Sequence, residues 1–304
     1  MNLHNDKDAF EELIAAASVE LKIPANIIEK DYYVTLTLRE LSSRIRGMVF
    51  KGGTSLTKCY QILDRFSEDI DISYAASEGI PGESRKRQLK KAVVDSMNCL
   101  NFPITNLEET RSRRNYNCYH AAYPSIYAPT AELKSELIIE TYIALLPFPT
   151  TVRMTDNYIY RFLRQSNQVY LAEEFNLMPF EITTQTIERT LVDKVFALCD
   201  YYLDGKAERH SRHLYDIHKI VENISFSESL PKLIREVRAL RAPLSICPSA
   251  AEGVDINCIL EEIIAKEAYK EDYLKITENL LFSPLSYEAA ISSLQRLVDE
   301  NYFK

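Results

Sequence analysis

Two aspartates two residues apart, Asp69 and Asp71, follow closely on a glycine pair, Gly52 and Gly53, in the stretch FKGGTSLTKCYQILDRFSEDIDIS at residues 50–73. On a strand, alternation puts both carboxylates on one side while Ile70 and Ile72 turn to the other. Like charges at that spacing repel, and a divalent cation with a preference for oxygen ligands relieves the repulsion. Upstream, Met48, Val49 and Phe50 read as a short apolar strand ending at Lys51. Gly52 and Gly53 then let the backbone turn sharply and approach a ligand. Thr54 or Ser55 is expected to cap the helix that follows, whose first amides lack partners and attract phosphate oxygens. Metal-type carboxylates beside phosphate-type amides point to phosphoryl or nucleotidyl transfer. The spacing is neither that of a P-loop, which needs GxxxxGK[ST], nor that of a dinucleotide fingerprint, since no third glycine follows. Taken singly, the DxD reads equally as a solvated strand face and the glycines as a tight turn. Their order and closeness carry the functional reading.

A third carboxylate has a job in such chemistry, helping to activate an acceptor hydroxyl near a second metal. Glu140 and Glu136, of the same strand parity, compete for it. Farther along, Lys194 lies among Leu191, Val195 and Leu198 on a helical pattern with Arg189 and Asp193. It either runs its stem over the core edge to water or neutralises triphosphate charge. Arg209, Arg212, His213 and Asp216 recur at helical spacing and are expected to share a face. There Asp216 serves a site or only orients Lys194 or an arginine, and His213 reads as a packed or nucleotide-contacting imidazole.

Positioning these groups requires a sheet with helices around it. Phe10, Leu13, Ile14, Ala17 and Leu21 form one stripe and predict a helix over residues 8–21. Pro24 marks the start of a second, running to residue 44. A helix is expected over 83–99, strands near 101–108, 115–122 and 131–143, one more strand over 180–184, and helices from residue 187 with a break near 243–251. The fold class is therefore α+β: a mixed-sheet lobe over residues 1–150, with N-terminal helices, followed by a mostly helical lobe over 151–304 that closes the nucleotide cleft.

The formal net charge of −8 argues against indiscriminate coating of nucleic acid. A local groove is still available, because Arg85, Lys86, Arg87, Lys90, Lys91, Arg111, Arg113 and Arg114 outnumber the acidic residues around them. The six cysteines show no close pairing, which reads as small buried hydrophobes in a reducing cytosol rather than a zinc site or a disulfide framework. The charged opening residues do not read as a signal peptide. The longest apolar stretch, residues 137–148, is interrupted by Glu140 and Pro147 and is too short to span a membrane, so a cytoplasmic protein is expected.

Four blocks in order resemble the AbiEii/AbiGii toxin-type nucleotidyltransferases, members of the DNA polymerase β-like superfamily that include toxins of abortive-infection and type IV toxin–antitoxin systems. They are EKDYYVTLTLREL at 29–41, FKGGTSLTK with RFSEDIDIS, ERTLVDKVFAL at 188–198 and RHLYDI at 212–217. Gly-Gly stands where the wider superfamily has Gly-Ser, and the C-terminal part carries no motif that aligns. The resemblance implies transfer of a nucleoside monophosphate from an NTP to an acceptor, the tRNA 3′ end or another acceptor including protein, with release of pyrophosphate. It implies Asp69, Asp71 and Glu140 around Mg²⁺ or Mn²⁺. Gly52, Gly53, Thr54, Ser55, Lys58, Arg65, Lys194 and Arg212 would attend the nucleotide, with Lys194 and Asp216 in catalytic roles. Acceptor RNA would meet the basic residues of 85–114 and Arg209 or Arg212, and an antitoxin would be encoded nearby. Glycine turn, DxD and lysine also suit an NTP-dependent phosphotransferase. A catalytically idle nucleotide- or RNA-binding regulator is disfavoured, since it has no need of two opposed carboxylates.

Overall fold

The computed structural model describes residues 1–74, 82–128 and 135–303. Its chain divides into two compact units, Met1–Tyr60 with Ser67–Thr184 and Gln61–Phe66 with Gln185–Lys304. The change of character read near residue 150 falls inside the first.

The first unit is α+β. Its strands are β1 (Met48–Lys51), β2 (Ile70–Tyr74), β3 (Tyr116–Ala122), β4 (Glu136–Tyr142), β5 (Thr150–Thr155) and β6 (Phe180–Gln185). They form one mixed sheet in the order β3-β4-β2-β1-β6-β5. β1 pairs antiparallel with β2 and parallel with β6, while β4 pairs parallel with β2 and antiparallel with β3. Alternation decides the faces of β4, with Leu137, Ile139 and Thr141 buried and Glu136, Ile138 and Glu140 on the other, more open side. Of the strand expected over 131–143, residues 131–134 lie outside the described residues.

Helices α1 (Lys7–Leu21) and α2 (Ala25–Arg44) precede the sheet. Asp6 caps α1 by accepting from the Ala9 amide at 3.1 Å. α2 starts directly after Pro24 and is buried along most of its circumference, charged residues included. A short helix α3 (Gly52–Ser55) widens into a π turn over Leu56–Tyr60. α4 (Glu83–Leu100) covers part of the sheet, and α5 (Tyr158–Gln165) and α6 (Val169–Glu174), with β5, were not anticipated from the sequence pattern.

The strand expected over 101–108 does not form. Asn101 ends α4 in the left-handed region, Pro103 lacks an amide hydrogen, and only Ile104 makes a bridge, to Ala121. Backbone bonds run from the Thr105 amide to the His120 carbonyl at 2.8 Å and from the Ala122 amide to the Pro103 carbonyl at 3.0 Å. Beyond them the Asn106 side chain takes over, accepting from the His120 amide at 2.9 Å and donating to the Cys118 carbonyl at 3.0 Å. The cysteines carry free thiols, but Cys99 and Cys258 are exposed, which corrects the expectation that all are buried.

In the second unit the helices are α7 (Ile187–Leu203), α8 (Arg212–Asn223), α9 (Leu230–Arg241), α10 (Ile256–Ala265), α11 (Lys270–Asp272, continued by a π turn over Tyr273–Thr277) and α12 (Tyr287–Asp299). α8 packs against α7 and α12 through Leu214, Ile217 and Val221 on its apolar face. The segment Gln61–Phe66 is stitched into this unit. The Phe66 amide donates to the Leu280 carbonyl at 3.3 Å, and the Phe282 amide to the Asp64 carbonyl at 2.7 Å. Among the described residues no helix is long and apolar enough to cross a membrane.

Candidate active site

Gly52 is the pivot of the site in the first unit. Its φ of +80° lies in the region that L side chains rarely adopt, and a Cβ there would stand 2.0 Å from Oδ2 and 2.8 Å from Cγ of Asp71. Glycine is required on both counts. The helix accordingly begins at Gly52 itself, which corrects the expected cap at Thr54 or Ser55. The Thr54 hydroxyl instead meets that of Ser67 at 2.9 Å, and the buried Ser55 hydroxyl donates to the Gly52 carbonyl at 2.8 Å. The Gly53 carbonyl accepts from the Thr57 hydroxyl at 3.4 Å.

Asp69 stands immediately before β2 and Asp71 within it. Ile70 and Ile72 are fully buried while both aspartates are half-buried, as strand alternation requires. The register pairs Lys51 with Asp71, Asp71 with Glu140, and Glu140 with Cys118, so these four form one row across β1, β2, β4 and β3. Glu136 pairs instead with Ala122 at the other end of β4, where Oε1 lies 3.3 Å from Nδ1 of His120. Register thus separates the two glutamates of shared parity and sets Glu140, the one favoured from the sequence, beside Asp71.

Negative charge concentrates on this face. Burial and the Glu140 carboxylate, with further contributions from Asp69 and Glu136, push the Cys118 thiol up to about 11. The Tyr116 hydroxyl, raised by burial and by Glu140, donates to Glu140 Oε1 at 2.9 Å. Among the described residues no three carboxylate, imidazole or thiol groups converge to hold a metal ion. Mg²⁺ is commonly bound through one or two carboxylates, with water and substrate phosphates completing the octahedron. Asp69 and Asp71 are donors of that kind, with Glu140 alongside and held by Tyr116.

Behind the face, α2 carries three consecutive buried charges. Glu29 accepts from the Ser125 hydroxyl and the Ile126 amide, each at 2.6 Å. Lys30 forms an ion pair with Glu68, the residue before Asp69. Asp31 accepts from Lys58 Nζ at 2.6 Å and from the Tyr158 amide at 2.9 Å. Lys58 also donates to Thr35 Oγ1 at 2.6 Å and is almost fully buried. Its ammonium therefore braces α3 from inside, a correction to the expected nucleotide contact. Sequence reasoning passed over this trio, although charges inside an otherwise apolar helix were its visible signal.

Within the second unit, Arg65 makes a bidentate pair with Asp216 at 2.7 and 2.8 Å, and Lys194 Nζ donates to Asp216 Oδ2 at 2.6 Å. All three are buried. Despite burial, the two cations hold the Asp216 carboxyl well below the usual carboxylate range. Asp216 thus holds Lys194 and an arginine together, the geometry of the orienting role weighed for it. Arg212 opens α8 and is partly exposed, but Arg209 precedes the helix with φ +67° and does not share its face. Burial and nearby Lys194 hold the His213 imidazole well below its ordinary value, and among the described residues its Nδ1 has no hydrogen-bond partner.

A left-handed glycine turn pressed against one of two neighbouring carboxylates, on a mixed sheet, suits an enzyme that handles phosphate together with a cation. The family model of the nucleotidyl transferase AbiEii toxin of type IV toxin–antitoxin systems matches residues 38–298, and the chain belongs to that family. No curated protein matches it.

Proposed function

We propose that the protein moves a nucleoside monophosphate from an NTP to the 3′ end of a tRNA in a Mg²⁺-dependent reaction in the cytoplasm, acting as the toxin partner of an antitoxin. The acceptor hydroxyl attacks the α-phosphorus, the bond from that phosphorus to the oxygen bridging to the β-phosphate breaks, and pyrophosphate leaves. Asp69 and Asp71 hold the cation, which supplies charge neutralisation on the triphosphate. Glu140 accepts the hydroxyl proton at its carboxylate, exchanging its Tyr116 hydrogen bond to do so. Amides of the Gly52–Gly53 turn bind phosphate oxygens. Lys194 and Asp216 act with Arg65 to anchor residues 61–66, from which the chain runs directly to Asp69.

One observation carries the reading: the Gly52 backbone lies so close to the Asp71 carboxylate that no side chain fits between them. Phosphate-type amides and a cation-type carboxylate are thereby fixed side by side. The test is incubation with Mg²⁺, total RNA, protein extract and each NTP labelled at the α-phosphate or, in parallel, at the γ-phosphate, with Asp69→Asn as the control. Label in tRNA-sized RNA, absent from the control, supports the reading and names the base. Label confined to protein overturns the RNA acceptor and keeps nucleotidyl transfer. Label passing to an acceptor only from the γ-position identifies a phosphotransferase instead.

A further inference from the structure

The sheet face opposite the carboxylates holds a second polar feature. Between the first half of α4 and the ends of β3 and β4 lies a narrow crevice lined by Lys86, Lys90, Arg114, Asn115, Asn117 and Tyr119, among others. Asn117 and Tyr119 alternate along β3 with Cys118, so they face away from Glu140 and Asp71.

Among the described residues, its three cations rest only on neutral oxygens. Lys86 Nζ donates to Asn115 Oδ1 at 2.6 Å and to the Arg113 carbonyl at 3.4 Å. Lys90 Nζ donates to the Thr110 carbonyl at 3.0 Å, and Arg114 to the Glu109 carbonyl at 3.5 Å. Nearby basic residues farther out do have carboxylate partners, Lys91 with Asp95 and Arg113 with Glu83. The Tyr119 hydroxyl is fully buried beside Thr141, and among the described residues it makes no hydrogen bond of regular geometry. Burial pushes this phenol up to about 12, so at neutral pH it retains its proton and can donate. A buried donor without an acceptor costs on the order of 1–3 kcal/mol, which an incoming anion would recover.

We propose that this crevice is a phosphate-binding site for the backbone of the RNA acceptor, formed by Lys86, Lys90 and Arg114 around the Tyr119 hydroxyl. The proposal rests on the RNA-acceptor reading above and adds where one phosphate is seated. The sheet separates the crevice from the carboxylate face, so its ligand is not the NTP held there. The cations of α4 and the following loop, Arg85, Arg87 and Arg111 included, exceed what one phosphate needs. That surplus favours a polyanion over a free ion.

The test is equilibrium binding of a short fluorescein-labelled single-stranded RNA across a salt series, with NTP binding measured on the same samples. Lys86→Ala combined with Lys90→Ala is expected to weaken RNA binding more than about tenfold and to flatten the dependence of log K on log salt by about 0.7, the increment for one phosphate. Tyr119→Phe, which keeps the ring and its packing, is expected to weaken binding by about tenfold with an unchanged salt slope, because it removes a donor and no charge. Lys91→Ala, outside the crevice, should have little effect, and NTP binding should be the same throughout. Full RNA affinity in Tyr119→Phe, or equal losses in Lys91→Ala and in the double variant, overturns the site and leaves only a diffuse basic face. Parent protein that binds NTP but no RNA overturns both the site and the RNA acceptor, with the nucleotidyl-transfer reading intact. Thermal melts of each variant exclude loss of fold as the cause.

Discussion

The acidic face of the first unit and the buried ion cluster of the second both place carboxylates among charged neighbours, yet the neighbours have opposite signs. At the sheet, Asp69, Asp71 and Glu140 lie on one face and are half-buried, and burial, with Glu140 and Asp69 adding to it, raises the Cys118 thiol. In the second unit, the single carboxylate of Asp216 is enclosed by Arg65 and Lys194 and driven below its ordinary range. The first arrangement sets carboxylates side by side across neighbouring strands. The second joins one carboxylate to two buried cations. A shifted ionisation therefore marks a functional face only when the sign of its cause is read with it.

The sharpest way to break this comparison is to neutralise one carboxylate in each unit. Asp69→Asn or Asp71→Asn should lower nucleotidyl transfer by at least about a thousandfold, several kcal/mol of lost transition-state stabilisation. Denaturant midpoints should be unchanged or slightly raised, since the substitution removes repulsion. Transfer surviving in both variants would mean that the acidic face is an ordinary solvated strand surface.

Asp216→Ala should do the reverse. It leaves Arg65 and Lys194 buried without their shared partner, an arrangement that costs about 3–5 kcal/mol. The loss should be visible as a lower urea midpoint with an unchanged slope. A variant as stable as the parent but inactive would place Asp216 in the chemistry and dissolve the contrast between the units.

A smaller effect sharpens the acidic face itself. Glu140→Gln should reduce transfer by about a hundredfold, the lower end of the usual range for a general base. Glu136→Gln should stay within about twofold, because register pairs it with Ala122 and its carboxylate faces His120. Single-turnover rates at saturating NTP would separate the two, and equal losses would contradict the assignment by register.

Much of this was legible in the chain. Alternation around Ile70 and Ile72 gave the orientation of the aspartates, and periodicity gave α1, α2 and the helices from α7 onward. The choice between Glu140 and Glu136 was not legible, because strand register depends on a partner distant in sequence. Lys58 misled for a related reason: its position beside the glycine turn was read correctly, but α2 places Asp31 beneath it and draws the ammonium inward. The Ser55 hydroxyl misled because Gly52, with positive φ, starts the helix earlier than the residues that usually cap one. The Arg65 partnership with Asp216 could not be read from local pattern, since 61–66 folds with a unit whose main body begins at Gln185.

The smallest effect expected is in the pH dependence of stability, and it too differs between the units. In the second, His210, His213 and His218 are all held below the ordinary imidazole value, each chiefly by burial. Lys194 and Arg212 depress His213 further while Asp216 opposes them, and Glu222 opposes the shift of His218. A depressed folded-state value means that the unfolded chain binds protons first. Stability is therefore complete above the unfolded imidazole value of about 6.5 and falls as pH drops below it. Asp216 adds a second loss only at much lower pH, when its carboxyl begins to protonate. In the first unit, His4 is held low by burial. Hydrogen exchange resolved along the chain between about pH 7.5 and about pH 5.5 should then show protection declining more steeply in α7 and α8 than in β1, β2 and β4. His213→Gln should reduce that difference, because glutamine has no proton to take up in this range. Equal slopes in the two units, or a slope unaffected by His213→Gln, would show that imidazole burial does not set the acid sensitivity of the helical unit.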